Sequence, residues 1–147
     1  EAFKDCSRLK SINIGGSVTL IGDRAFYGCN TLTKAEFLPN TVTAIGEQAF
    51  AFCGKLSSAN LPNSLVTIGS EAFRACFALN AITIPESTTN IGDNAFLDCS
   101  TLQQVTFLTN QLSILPSGIF YQCKQLKEAL LPVCDASKAV LLLIARV

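Results

Sequence analysis

The stretch Ile91-Gly92-Asp93-Asn94-Ala95-Phe96-Leu97-Asp98-Cys99-Ser100-Thr101-Leu102 decides the fold, because its skeleton, I-G-x-x-A-F-x-x-C-x-x-L, recurs along nearly the whole chain. The aromatic of the motif falls at Phe3, Phe26, Phe50, Phe73, Phe96 and Phe120, in steps of 23, 24, 23, 23 and 24 residues. The cysteines keep the same register at Cys6, Cys29, Cys53, Cys76, Cys99 and Cys123, and so do Leu9, Leu32, Leu56, Leu79, Leu102 and Leu126. Three residue types in phase over six copies make this a stack of like units, each resting on its neighbours. Leu38 and Leu108 each add one residue after the apolar segment that follows the leucine. An insertion absorbed without loss of register marks a turn.

Composition narrows the function. The chain has 147 residues, enough for one domain or a short solenoid. Apolar residues make up 49% and charged ones 15%, which argues for a continuous core and against disorder. With 11 basic and 11 acidic residues and no basic cluster, a nucleic-acid partner is set aside, since phosphate binding needs a Lys/Arg face. The longest purely apolar run, Ala139 to Ala145, is too short to span a bilayer. No N-x-S/T sequon is present. The opening residues Glu1-Ala2-Phe3 lie mid-repeat, as in a processed or truncated product.

Seven cysteines suggest disulfides in a secreted chain, but six of them hold one equivalent position beside a Phe and a Leu. Cysteine in that setting acts as a small buried hydrophobe, so six reduced, buried thiols are expected, with Cys134 outside the series. There is no CxxC pair and no histidine, which argues against zinc.

Each repeat divides into parts. After the leucine comes an alternating triplet: Ile12-Asn13-Ile14, Ala35-Glu36-Phe37, Ala59-Asn60-Leu61, Ile82-Thr83-Ile84, Val105-Thr106-Phe107 and Ala129-Leu130-Leu131. Period-two alternation reads as a short strand with its first and third residues inward. Pro39, Pro62, Pro85 and Pro132 close four of the six strands. An extended piece returns to Gly22, Gly46, Gly69 and Gly92, where glycine is expected to permit backbone angles that other residues resist. Asp23, Glu47, Ser70, Asp93 and Ser117 follow as expected N-caps. The A-F-x-x-C-x-x-L that comes next spaces its apolar residues three apart, as a short helix or 3₁₀ turn would.

The unit Leu79-N-A-I-T-I-P-E-S-T-T-N-I-G-D-N-A-F-L-D-C-S-T-Leu102 resembles the BspA-like, or Treponema-type, leucine-rich repeat. That family shares the L-x-x-h-x-h-P strand and the I-G-x-x-A-F-x-x-C signature. The resemblance covers residues 1 to about 132 and departs from the pattern at Gly15 and Thr109, where proline is usual, at Leu115-Pro116-Ser117-Gly118-Ile119-Phe120 for the motif, and in the last fifteen residues. It implies a curved α/β leucine-rich repeat solenoid of about six 23–24-residue repeats, with a parallel sheet on the concave face and short helices or 3₁₀ turns on the convex face. It also implies an exported, periplasmic or cell-surface bacterial protein used for adhesion or protein binding. Residues 133–147 would then form an apolar cap or an oligomerisation segment.

The first candidate surface is the outward side of the sheet: Ser11, Asn13, Lys34, Glu36, Ser58, Asn60, Ala81, Thr83, Gln104, Thr106, Glu128 and Leu130. These are mostly small and neutral, suited to a partner lying flat with little electrostatic steering, or simply to a solvated sheet. Asp23, Glu47 and Asp93 could be a cation ladder or acid–base pairs, but one acid per repeat is better explained by capping. Without a histidine base and with cysteines expected in the core, neither catalysis nor a cofactor is expected. Phe3, Phe52, Phe77, Leu141, Leu142 and Leu143 are candidate oligomer contacts. The expectation is therefore a non-enzymatic module presenting its concave face to a protein, a host or matrix protein or a second copy. The alternative is a component that assembles through an uncapped end or the apolar tail.

Overall fold

The computed structural model describes residues 1–38, 41–112 and 115–130. The tail from 131, with Cys134 and the candidate contacts Leu141, Leu142 and Leu143, lies outside them. So do Pro39, Pro132 and the inward position at Leu131.

Ten short strands are formed among the described residues, divided between two faces. The triplets build the front ladder: β1 (Ser11–Ile14), β3 (Lys34–Phe37), β5 (Ser58–Asn60), β7 (Ala81–Ile84), β9 (Gln104–Phe107) and β10 (Glu128–Leu130). The returning pieces build a second ladder: β2 (Leu20–Ile21), β4 (Ala44–Ile45), β6 (Thr67–Ile68) and β8 (Asn90–Ile91). All pairing is parallel, and like positions meet like: Ile12 lies opposite Ala35, and Ile45 opposite Ile68. The second ladder is continuous in the order β2-β4-β6-β8, whereas the front ladder is two three-stranded sheets, β1-β3-β5 and β7-β9-β10.

The core follows from the alternation. Ile14, Ala35, Phe37, Ala59, Ile82, Ile84, Val105 and Phe107 are buried, and Ile12, Leu61 and Ala129 are partly buried against the same cluster. The six motif phenylalanines form one column, with ring centroids 5.0–5.9 Å apart between successive copies and planes within 23° of parallel. Offset stacking at that spacing adds to the area each ring buries.

The third side of each repeat departs from expectation. No α- or 3₁₀-helix occurs among the described residues, and the A-F-x-x-C-x-x-L segment is a chain of turns. The N–H groups of Ala25, Tyr27 and Cys29 donate to the carbonyls of Gly22, Arg24 and Phe26, three residues back, at 3.1–3.2 Å. Those of Arg24, Phe26 and Gly28 instead donate to Glu47, Ala49 and Ala51 of the next copy at 2.7–2.9 Å. Half of the donors therefore stitch the copies together rather than closing a helix. Arg24 (φ 53°) and Gly28 (φ 71°) are left-handed, the third residues of turns of type II form, and a right-handed helix cannot pass through them. The same two positions recur at Gln48 and Phe52, Glu71 and Ala75, and Asn94 and Asp98.

Two local expectations change with it. Gly46, Gly69 and Gly92 do not have left-handed backbone; a Cβ on Gly69 would lie 2.5 Å from the Gly46 carbonyl carbon and 2.7 Å from the Glu47 nitrogen. Glycine is needed there because one copy's backbone rests on the next. The carboxylates of Asp23 and Asp93 are not helix caps either. Each accepts the backbone N–H of the matching residue one copy on, Glu47 at 2.8 Å and Ser117 at 2.9 Å.

Candidate functional site

Strand alternation sets the front face. Every second side chain must point out when its neighbours fill the core. The register aligns Ser11, Lys34 and Ser58 in one row and Asn13, Glu36 and Asn60 in the next. Across the break, Ala81, Gln104 and Glu128 form a row beside Thr83, Thr106 and Leu130. All twelve candidate residues face solvent, with Glu36, Ser58 and Thr106 half-buried and the rest exposed.

Three of the twelve side chains are charged, and two of them, Lys34 and Glu36, pair with each other. Lys34 Nζ sits 2.5 Å from Glu36 Oε1, and the Gln104 amide donates to a Glu128 carboxylate oxygen at 3.4 Å. The remainder is hydroxyl, carboxamide and methyl. Such a surface offers hydrogen bonds without a strong field.

The front ladder opens between β5 and β7, leaving a cleft of about 430 Å³ lined by Asn60, Asn63, Asn80, Thr83, Leu61 and Leu108, among others. Asn60 and Thr83 were in the candidate set. Asn63 and Asn80 were missed because they flank the strands, where the alternating pattern no longer says which way a residue points. Just after β3 and β9, Leu38 and Leu108 donate their N–H to Ile14 and Ile84 at 2.7 and 2.9 Å, whereas Pro85, just after β7, has no N–H to give. Pro62 removes the same donor from β3–β5, which stays paired, so the proline alone does not open the ladder.

Of the candidate oligomer contacts, the three among the described residues are exposed: Phe3 by 43%, Phe52 by 36% and Phe77 by 44%. They do not form one patch of like function. The Phe3 ring stacks on Phe26 in the core column. Phe52 lies 5.3 Å from Tyr27 and carries the Arg74 guanidinium 5.3 Å over its ring. Phe77 covers Gly54, 3.4 Å from where a Cβ would stand. Beside Phe52, the left-handed positions carry a polar chain. Arg24 Nε donates to Gln48 Oε1 at 2.7 Å, and the Gln48 amide and Arg74 both donate to Glu71 Oε2 at 2.9 Å. The bonds from Arg74 and Gln48 hold the Glu71 carboxyl below its ordinary value of 4.5.

Among the described residues the six cysteines are free thiols, and five of them are buried. Cys6, expected in the core, is exposed in the first copy. Cys29, Cys53, Cys76, Cys99 and Cys123 each donate to the carbonyl of the motif phenylalanine one copy back, at 3.0–3.3 Å. Burial pushes Cys53 up to about 12 and Cys76 well above 9.0. Thiols held protonated in this way have little nucleophilic character. Among the described residues no three His, Cys, Asp or Glu side chains are grouped to hold a metal ion. No helix among them is long and apolar enough to cross a membrane.

This combination of parallel strand ladders, a phenylalanine column and a cysteine column defines a leucine-rich repeat protein. The model of the BspA type leucine rich repeat region matches six copies over residues 1–127, and the chain belongs to that family. Its structure is similar to the crystal structure of the T. pallidum leucine-rich repeat protein, with 34% identity and a TM-score of 0.79 over 88% of this chain. It is also similar to that of a leucine-rich repeat protein from Bacteroides ovatus, with 39% identity and a TM-score of 0.80 over 87% of this chain. The chain spans 59% of the first protein's length and 33% of the second's. No curated protein sequence matches it.

Proposed function

We propose that this chain is a non-enzymatic binding module, part of an exported or cell-surface bacterial protein, that adheres to a protein partner through its front strand face. The observation that carries the reading is the face itself: two rows of solvent-facing, mostly uncharged side chains, in register within each of the two three-stranded sheets. Repeat stacking supplies such surfaces without any catalytic group. Affinity on a neutral face comes from many short-range contacts, so association is expected to depend weakly on salt. Residues 1–132 would act as the binding unit and 133–147 as a separate terminal element.

Solid-phase binding to a panel of immobilised matrix and serum proteins tests this. At least one partner should bind saturably, and Asn13→Lys together with Gln104→Lys should weaken that binding at least about tenfold by burying unpaired charge. If the doubly charged variant bound every partner as the unaltered protein does, the front face would not be the binding surface. A second reading, self-association, is favoured by the exposed Phe52, Phe77 and Tyr121 rings. Light scattering across micromolar concentrations would then show a stable oligomer that Phe77→Ser dissociates.

A further inference from the structure

The break between β5 and β7 is confined to one face. Just upstream the two copies are bonded, Phe50 N–H to the Ala72 carbonyl at 2.8 Å, and just downstream β6 and β8 pair in register. The chain therefore holds a fixed notch in an otherwise continuous stack. Its wall carries the carboxamides of Asn60, Asn63 and Asn80 and the hydroxyl of Thr83, with Leu61 and Leu108 as apolar surface. No residue lining it is charged.

The chemistry of this wall selects a ligand class. Carboxamides and hydroxyls both donate and accept, which matches a molecule whose own groups do the same. An ionised ligand would give up hydration and meet no counter-charge. An extended peptide strand does not fit between the two edges. Cα atoms of β5 and β7 still approach within 8 Å, whereas an inserted strand would need its neighbours about 9.6 Å apart. The volume, about 430 Å³, lies in the range of small-molecule sites. We propose that the β5–β7 notch is a binding site for an uncharged saccharide of one or two rings, held by Asn60, Asn80 and Thr83 with its C–H face against Leu61 and Leu108.

This site goes beyond the protein-binding reading and does not depend on it. Asn13, on β1, has β3 between it and the notch, whereas Gln104 is the register neighbour of Ala81 on the notch wall, so Asn13→Lys alone probes the protein-binding reading without touching the notch.

Calorimetry and saturation-transfer NMR on the full chain test the site, with maltose, lactose, cellobiose and diacetylchitobiose as probes and tri-alanine as the peptide control. At least one saccharide should bind saturably below about 20 mM, the weak affinity expected of a shallow open site. Asn60→Ala and Asn80→Ala should each weaken it at least about threefold by deleting a hydrogen bond. Ala81→Phe, at an exposed position, should abolish it by filling the notch while every polar group stays in place. Unchanged thermal melting of these exposed-site variants would show that the fold is kept. The proposal is overturned if no saccharide binds saturably in that range, if binding is the same in all three variants, or if tri-alanine binds as tightly as the best sugar.

Discussion

A buried thiol in this protein is a hydrogen-bond donor before it is anything else. The carbonyl of Phe50 accepts the Cys53 N–H within its own copy and the Cys76 thiol from the next, so both of its lone pairs are used. In a Cys134→Ser background the native protein should give about one fast-reacting thiol, Cys6, and all six remaining thiols should appear on unfolding; five fast-reacting groups would refute the buried ladder. The same burial sets a pH dependence. Cys53 is raised from 9.0 to about 12, so its contribution to stability is complete below pH 9.0 and is lost as pH rises toward 12. Melting temperature should fall over that window, and less steeply in Cys53→Ala. Glu71 runs the other way: its lowered pKa contributes above pH 4.5 and is lost as pH falls through the folded value. Its NMR titration midpoint should lie below 4.5 and move up in Arg74→Ala, with little effect on melting because the pair is largely exposed.

The turn arm shows how local chemistry misleads at the level of an element. Its turns close at Phe26–Cys29 and Cys29–Leu32, each three residues on, so every third side chain enters the core, as it would from a short helix. The spacing of apolar residues alone does not separate the two. Left-handed residues such as Gln122 (φ 63°) do separate them, but most are not glycine and carry no mark in the sequence. Gln122→Gly should therefore stabilise the fold by about 0.5–1 kcal/mol, as measured by denaturant unfolding, because glycine relieves left-handed strain at the position that Gly28 occupies in its own copy. Gly69→Ala should do the opposite, costing at least about 2 kcal/mol, since its Cβ would meet backbone of the neighbouring copy that has no room to move.

Across the whole molecule the phenylalanine column is the axis of stability. Phe73 is fully buried between rings 5.3 and 5.4 Å away, so Phe73→Ala should cost about 3–5 kcal/mol in equilibrium unfolding. Phe120, only partly buried and 5.9 Å from Phe96, should cost less, and equal losses would mean that stacking does not set the gradient. The repeat, its period, the inward triplet residues, the outward face and, from the second copy on, the core positions of Phe, Cys and Leu are legible in the chain's periodicity. Periodicity is a one-dimensional property. What the backbone does between copies is set in three dimensions: alternate N–H groups of the turn arm reach the next repeat instead of closing a helix, Gly69 is glycine for clearance, Asp23 serves its neighbour, and the front ladder parts between β5 and β7. The physical reason is that each depends on the distance between residues some 23 positions apart, which is set by the packed column and not by the local sequence.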